Sequence, residues 1–156
     1  MARIGIALVL ALAWTCGALA ADTTTGSGTL YGKSFAARGG FAYRDEGYTM
    51  VVLSTAPIDA NAMVRDGRVD PFALVGHHTS NKATVVKLMI DPKGQMTCFN
   101  VMAEPDSGNR CGDFKDSFKL TRRDYERVAG ALDWSGEGES LKLAFDLPIS
   151  GSTDGK

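Results

Sequence analysis

The sequence predicts an all-β domain, either an antiparallel sandwich or a closed barrel of about eight strands, with a short helical insertion near residues 57–75. One observation is the recurrence of large apolar residues at every second position from Leu141 to Ile149, the period of a strand with one buried face. A second is the series of short apolar runs at hairpin-like spacing, separated by clusters of Gly, Asp, Arg and Ser. The third is that only residues 57–75 break this pattern at length.

Length and composition fit one ordinary globular domain. The chain has 156 residues, of which 44% are hydrophobic and 22% are charged, and these values argue against disordered, collagen-like and low-complexity classes. The formal net charge is −1, so the composition offers no basic patch for nucleic acid. We therefore expect no nucleic-acid partner.

Residues 1–20 are predicted to be a cleaved signal peptide. After a basic start, residues 4–14 form an apolar run, and residues 18–20 (Ala-Leu-Ala) provide a small-x-small cleavage signal. A helix of about eleven residues spans only about 16 Å, too short to cross a bilayer. The mature chain is therefore expected to be exported, to the periplasm or the medium, without a membrane span. The alternatives are a retained N-terminal anchor and lipidation at Cys16, which fits poorly because the residues before it are not small.

Two cysteines, Cys98 and Cys111, remain in the mature chain and are predicted to form one disulfide. Two cysteines at short spacing in an exported chain are typical of a structural bridge. Closing a loop of about 14 residues stabilises the fold by about 3 kcal/mol in the chain-entropy model. A redox or metal-binding thiol pair would favour a C-x-x-C spacing, which is absent.

The mature chain is predicted to be one β-rich domain over residues 29–149, between a flexible leader (21–28) and a flexible tail (150–156). Both ends are polar and rich in Gly, Ser and Thr. The clearest hairpin turns at residues 91–94, and Pro148 predicts that the last strand ends nearby or lies at an edge. The predicted strands are residues 29–35, 40–44, 48–54, 84–90, 95–102, 114–120, 125–134 and 141–149.

The insertion is predicted to contain two helices. Residues 57–66 begin with a proline at the first helical position, and Gly67 follows the predicted end. Asp70 is placed to cap a second helix of one turn over residues 72–75, which ends at Gly76. Because long connections often carry function, the insertion is the predicted location of the binding surface.

His77 and His78 are the only histidines, and they could serve metal binding or acid–base chemistry. No H-x-H or H-E-x-x-H spacing accompanies them, and neighbouring residues on an extended chain point apart. We expect both beside the C-terminal end of the short helix, where its partial negative charge favours them. A hydrolase that uses one of them with an acid is an alternative, although no G-x-S-x-G motif or phosphate-binding loop supports it.

Methionines, aromatic residues and carboxylates give weaker signals. Five methionines beyond Met1 could bind copper through thioethers, but their irregular spacing favours core packing. The oxygen ligands between residues 104 and 113 lack the spacing of a calcium loop. Aromatic residues outside the core could form a sugar or peptide platform only if they share one face. The sequence therefore predicts no metal and no cofactor.

These observations predict a small exported binding protein without catalytic activity, which recognises another protein in an inhibitor, immunity-type or envelope accessory role. The motivating observation is the lack of a matched catalytic set in a sequence long enough to fold alone. The alternative is a carrier of a small apolar ligand or a metal ion inside a β-barrel. The predicted binding surface comprises Arg65, Asp66, Arg68, Asp70, His77 and His78.

Overall fold

The computed structural model describes residues 22–153, so the predicted signal peptide (1–20) lies outside the described residues. The described part forms twelve strands and two short helices. Helix α1 (Ala60–Met63) lies between β4 and β5, and α2 (Pro71–Asn81) lies between β6 and β7. The strands are β1 (Thr23–Leu30), β2 (Lys33–Ala36), β3 (Gly39–Asp45), β4 (Tyr48–Ser54), β5 (Val64–Arg65), β6 (Arg68–Val69), β7 (Val85–Ile90), β8 (Met96–Met102), β9 (Ser107–Cys111), β10 (Phe118–Arg123), β11 (Arg127–Gly136) and β12 (Glu139–Ser152).

These strands belong to one sheet, which is open and curled into a half-barrel. Its main path runs β10-β11-β12-β3-β4-β7-β8-β9, and β1, β2, β5 and β6 attach beside this path. Neighbours are antiparallel except where β12 meets β3 and β6. The predicted all-β class with a short helical insertion is confirmed. The sheet is neither a closed barrel nor a two-sheet sandwich, because its end strands, β9 and β10, do not pair with each other.

Strand β12 connects the two halves of the sheet. Its alternating segment pairs with β11 and with β1, and its large apolar side chains are buried. Arg127 and Pro148 form the last pair with β11, and Ile149 then pairs with Ala42 of β3. Proline cannot donate a ladder hydrogen bond, so it is tolerated where the strand changes partner. The strand therefore continues to Ser152 instead of ending near Pro148.

Two apolar clusters lie on opposite faces of β3, β4 and β7. Strand β4 is central, because Val51 and Leu53 enter one cluster while Met50 and Val52 enter the other. Each fully buried side chain of this kind contributes about 1.5–3 kcal/mol of hydrophobic stabilisation. The inner cluster fills the concave side of the sheet and includes Phe35, Leu88, Phe99, Leu132 and Leu147. The outer cluster lies under the insertion and includes Phe41, Tyr43, Met63, Val69, Leu74 and Val85.

The predicted leader and tail are, where described, parts of the sheet. Strand β1 covers residues 23–28 and pairs with β12 and β2. Its glycines reflect close packing, since a Cβ at Gly28 would lie 2.1 Å from the backbone oxygen of Ser140. In the tail, residues 150–152 continue β12. These segments were predicted as a flexible leader and tail, and the structure places them in strands, because Gly, Ser and Thr can serve close strand approach as well as linkers.

The first predicted helix, residues 57–66, is reduced to the single turn α1. Asp59 caps this turn, and its carboxylate accepts from the Asn61 amide at 2.9 Å. The chain then enters the β5–β6 hairpin, whose turn residues Asp66 and Gly67 have φ values of 53° and 73°. Positive φ at both positions is what this tight turn requires. Gly67 therefore serves the hairpin and not a helix end.

Helix α2 is longer than the one turn predicted. Asp70 caps its start as predicted. The helix passes through Gly76, where a glycine costs about 1 kcal/mol relative to alanine, because Leu74 and His77 are buried on either side of it. It ends before Lys82, whose φ of 48° gives a left-handed cap. No helix within residues 22–153 is long and apolar enough to cross a membrane.

The predicted disulfide between Cys98 and Cys111 forms, and it joins β8 to β9 at a directly paired position. Strand β9 was not predicted. Arg110 of β9 donates from Nη2 to Glu139 Oε2 at 2.8 Å, and its guanidinium lies 5.1 Å from the centroid of the Tyr31 ring. These contacts attach β9 to the β11–β12 and β1–β2 turns, at one end of the opening between β9 and β10. This opening is termed the seam.

Arg123 of β10 closes the other end of the seam. Its Nη1 donates to the backbone oxygens of Asp91 and Pro92, each at 2.9 Å, and its Nε donates to Thr49 Oγ1 at 3.1 Å. These partners belong to β4 and to the β7–β8 turn. Side-chain hydrogen bonds thus hold the two ends of the seam, where backbone pairing is absent.

Candidate functional site

The β5–β6 hairpin projects from the insertion with one face inward and one outward. Val64 and Val69 pair on the inward face and pack with the outer cluster. Arg65 and Arg68 pair on the exposed face. The turn is held by the end of β12, because the Ser152 amide donates to the Gly67 carbonyl at 3.0 Å.

Arg65 and Arg68 present two guanidinium groups side by side. Within residues 22–153, neither side chain forms an ion pair or a hydrogen bond. The carboxylates of Asp59 and Asp70 are engaged as helix caps, which leaves Asp66 in the turn as the exposed acid. Like charges directly opposite each other destabilise a strand pair by a few tenths of a kcal/mol. This arrangement is unfavourable for the isolated fold.

The exposed surface of α2 is apolar in the N-terminal half of the helix. Phe72 is 83% exposed, and Val75, one turn further on, is 49% exposed. A Cβ at Gly76 would meet no atom within 4 Å, so the helix surface beside these side chains is open. Among the described residues, the only other exposed large hydrophobic side chain is that of Tyr125. The insertion surface is defined as Arg65, Arg68, Phe72 and Val75.

Tyr125 lies across a surface cavity from the hairpin turn. It is 91% exposed, and the guanidinium of Arg44 lies 5.4 Å from the centroid of its ring. The cavity has a volume of about 500 Å³ and is lined by both residues, by Gly47 and Gly67, and by residues 149–152. The exposed aromatic ring and the hairpin turn therefore border the same depression.

Three of the predicted binding residues, Asp70, His77 and His78, form hydrogen bonds within the protein. The carboxylate of Asp70 accepts from the Phe72 amide at 2.9 Å. His77 is buried, and His78 is half-buried with its Nδ1 2.6 Å from the Ala83 carbonyl oxygen. Both histidines lie within α2, because the helix continues past Gly76, and His78 lies in its last turn, near the C-terminal end as predicted. The exposed part of the predicted surface is Arg65, Asp66 and Arg68.

His77 forms a hydrogen-bonded group with Ser54 and Asn81. Its Nε2 is 2.9 Å from Ser54 Oγ, and its Nδ1 is 3.3 Å from Asn81 Nδ2. Asn81 Nδ2 also donates to the His77 carbonyl at 3.0 Å, which identifies this atom as the amide nitrogen. Nδ1 therefore faces an N–H donor. The neutral imidazole carries its proton on Nε2 and donates it to Ser54 Oγ.

This group has the residue types of a hydrolase site but the opposite arrangement of protons. A general base would accept the hydroxyl proton of Ser54 at Nε2, whereas Nε2 is the donor. Ser54 Oγ also accepts from the Ala56 amide at 3.1 Å, and Ser54 is 0% exposed. In this conformation no substrate carbonyl reaches the hydroxyl. The geometry gives His77 and Ser54 a structural role, the attachment of α2 to the end of β4.

Burial shifts two titratable groups beneath the insertion. It lowers the pKa of His77 below the ordinary 6.5, and the neighbouring His78 adds to the lowering. Burial raises the pKa of Tyr43 to about 12, with a further contribution from Asp45. Both side chains are therefore neutral at pH 7.

Two further depressions lie away from the insertion. The larger, about 820 Å³, is a groove on the exposed face of β10, β11, β12 and β1, with Ala131, Ala144 and Thr25 among its lining residues. The smaller, about 440 Å³, lies at the seam and is lined by Met96, Phe114, Phe118 and Leu120, with Gly94, Gln95, Thr97, Gly112, Asp113 and Lys115 around them.

The concave side of the sheet, where a ligand inside a barrel was considered, is filled by the inner cluster. Within residues 22–153, no group of three or more His, Cys, Asp or Glu is placed to hold a metal ion.

The sequence analysis did not identify Phe72 and Val75 as binding residues. The signal was present, because residues 72–75 are four consecutive apolar residues. With about 3.6 residues per turn, four consecutive side chains point to all sides of a helix and cannot share one buried face.

No protein-family model matches the chain, and no curated protein or solved structure matches it either.

Proposed function

We propose that this chain is a small exported binding protein without catalytic activity, which recognises another protein through the insertion surface. The observation that carries the proposal is the 83% exposure of Phe72 on a helix whose opposite face is buried. Leaving such a side chain in water forgoes about 1.5–3 kcal/mol of hydrophobic stabilisation. Aromatic residues and arginine are the types most enriched at the centres of protein interfaces. An inhibitor, immunity-type or envelope accessory role would use such a surface.

The charges of the β5–β6 hairpin, which precedes α2 in the chain, indicate the chemistry of the partner. Arg65 and Arg68 are unpaired, and a guanidinium binds carboxylates through two parallel hydrogen bonds. A complementary partner would offer an apolar pocket for Phe72, bordered by acidic side chains. Charge complementarity of this kind speeds association and favours the correct partner.

The insertion surface is held in place before any partner binds. The hydrogen bond from Ser152 to Gly67 fixes the hairpin turn, and the buried Leu74 and His77 fix α2. Each side chain that must be immobilised on binding costs about 0.5–1.5 kcal/mol. A preformed surface reduces this cost and supports a role in recognition.

Comparative capture tests the proposal. The oxidised chain from residue 21 onward would be immobilised beside a variant with Phe72→Ser, Arg65→Gln and Arg68→Gln. A third column would carry Lys119→Gln, an exposed charge on the far half of the sheet. Envelope and secreted extract of its own source would be passed over all three at about 300 mM salt, where the Debye length of about 5–6 Å suppresses weak charge pairing.

We expect one near-stoichiometric protein on the unaltered and Lys119→Gln columns, and at least 30-fold weaker binding to the triple variant, since interface hot spots contribute 2 kcal/mol or more. The melting temperatures of the three proteins should agree, which separates lost binding from lost folding. Equal retention on all three columns would contradict the proposal.

A carrier of a small apolar ligand is the second candidate, and the seam cavity is the observation that favours it. Its volume of about 440 Å³ lies within the range of ligand pockets, and its central side chains are apolar. Titration with 8-anilinonaphthalene sulfonate would test it. A carrier should bind the dye in its native state, and Leu120→Trp should reduce this binding by filling the cavity. Native protein that leaves the dye fluorescence unchanged would count against a carrier.

A further inference from the structure

Helix α2, which carries Phe72 and Val75, is attached to the sheet by only two buried residues. Leu74 packs into the outer cluster, near the N-terminal half of the helix. His77 attaches the C-terminal half, through the hydrogen bond to Ser54 Oγ at 2.9 Å. The C-terminal half of α2 is thus fixed through an imidazole whose second nitrogen, Nδ1, changes from acceptor to donor when it takes up a proton.

The neutral imidazole fits the partners on both of its ring nitrogens, since Nε2 donates to Ser54 Oγ and Nδ1 accepts from Asn81 Nδ2, and the imidazolium fits only the first. A second proton would reside on Nδ1, which faces the Asn81 amide nitrogen at 3.3 Å. Two donors would then oppose each other. Rotation of the Asn81 amide would relieve this conflict but would remove the hydrogen bond from Asn81 to the His77 carbonyl. Protonation therefore costs either the hydrogen bond from Asn81 to the His77 carbonyl or a movement of the imidazole that weakens its bond to Ser54.

No described carboxylate pairs with His77: Asp45 lies at the end of β3 opposite to the Gly39–Ser54 pair, and the carboxylates of Asp59 and Asp70 accept backbone amides at the starts of α1 and α2. On α2 the neighbouring titratable group is His78, which carries charge of the same sign, and the residue after the helix is Lys82. Helix α1 contains no charged residue, and Asp70 lies seven residues away, about 10 Å along the helix axis. The strands present on this face Val52 and Ser54 of β4, Phe41 and the neutral Tyr43 of β3, and Val85 and Lys87 of β7.

We propose that His77 is a proton-sensitive anchor, which releases the C-terminal half of α2 in mildly acidic solution and thereby weakens binding at the insertion surface. The effect on binding rests on the proposed function. The release of α2 is a property of the free protein and needs no partner.

The direction of the pH dependence follows from the lowered pKa of His77. The imidazole of the released helix has an ordinary pKa near 6.5 and takes up a proton more readily than the anchored one. The anchor is therefore fully effective above pH 6.5 and weakens as the pH falls toward the lowered pKa of the native state. Below that pKa the effect levels off. Each unit of difference between the two pKa values changes the opening equilibrium tenfold.

Hydrogen exchange of the free, oxidised protein tests the anchor. Amide exchange in residues 71–83 would be measured between pH 7.5 and 5.0, corrected for intrinsic exchange, with β4 as the internal reference. We expect the opening of α2 to rise several-fold or more across this range while β4 stays protected. His77→Gln should remove the rise, because glutamine is a neutral donor at all these pH values. His78→Gln is the matched control and should retain it, since the bond of His78 to Ala83 tolerates protonation.

Equal protection of α2 at pH 7.5 and pH 5.0 would overturn the proposal, and so would an undiminished pH response in His77→Gln. Should that variant fail to fold, a nuclear magnetic resonance titration of His77 in the unaltered protein tests the same proposal by measuring the pKa of its imidazole. An imidazole of His77 that takes up its proton above pH 6.5 would contradict the anchor. These measurements use the free protein. An empty capture column would therefore contradict the proposed protein partner and would leave the proposed role of His77 unaffected.

Discussion

The seam and the tip of the insertion use arginine in opposite ways. At the seam, Arg123 reaches three backbone carbonyls and Thr49 Oγ1, and Arg110 reaches Glu139 and the Tyr31 ring. At the tip, two arginines face each other across a two-residue hairpin turn, and neither has a partner among residues 22–153. The seam arginines replace missing backbone pairing and so stabilise the fold. The arginines of the tip contribute nothing comparable, and this difference is the reason that we propose the tip as part of a binding surface.

The largest effect should come from Arg123→Met. The substitution removes three bonds to backbone carbonyls and leaves Thr49, which is 0% exposed, without this donor. Hydrogen bonds that involve a charged group contribute about 1.5–3 kcal/mol, so we expect a loss of about 2 kcal/mol in the free energy of unfolding in urea. Arg122→Met is the control, because its ion pair with Asp124 is exposed and should contribute less than about 1 kcal/mol. Equal losses in the two variants would show that the seam does not depend on Arg123.

A smaller loss is expected for Arg110→Met. Methionine retains part of the packing on Tyr31 but leaves the carboxylate of Glu139 without its guanidinium. Glu139 still accepts from the Tyr31 amide at 2.8 Å, so part of its stabilisation survives. We expect a loss of about 1 kcal/mol in urea unfolding. A loss as large as that of Arg123→Met would mean that both ends of the seam contribute equally.

The smallest effect on stability should come from Arg65→Gln combined with Arg68→Gln. Removal of two opposed charges breaks no hydrogen bond and relieves repulsion, so the free energy of unfolding should change by less than about 0.5 kcal/mol. The change should favour stability at low salt and vanish at high salt, because the groups are exposed. A destabilisation above about 1 kcal/mol would reveal a structural role and remove the contrast with the seam.

Much of the fold could be predicted from local sequence. The alternation in β12, the turn at residues 91–94, the cap at Asp70 and the disulfide all depend on residues near each other in the chain or on simple pairing. Strand β1 could not be predicted in this way, because its glycines are explained only by the close approach of Ser140, more than a hundred residues away in the sequence. The sequence analysis predicted α2 too short for a related reason. A glycine such as Gly76 ends a helix only where the residues after it are not buried against the rest of the protein, and His77 is buried.

The candidate site was predictable in part. Arg65, Asp66 and Arg68 are exposed as charged turn residues generally are. The roles of His77 and Asp70 depend on Ser54 and on a backbone amide, and only the first of these partners is distant in sequence. The exposure of Phe72 could have been anticipated from the four apolar residues in a row. Which of the four faces water depends on how the helix lies on the sheet.

The sequence by itself determined the β-rich class, the position of the insertion, the cap of α2 and the disulfide. These features follow from periodicity, turn chemistry and composition, which act over a few residues. The tertiary structure alone decided that the sheet stays open, that β1 belongs to it, that His77 is bonded to Ser54 and that Phe72 faces outward. These features depend on which distant surfaces meet, because burial and hydrogen bonding between elements are properties of the folded chain and not of any short segment.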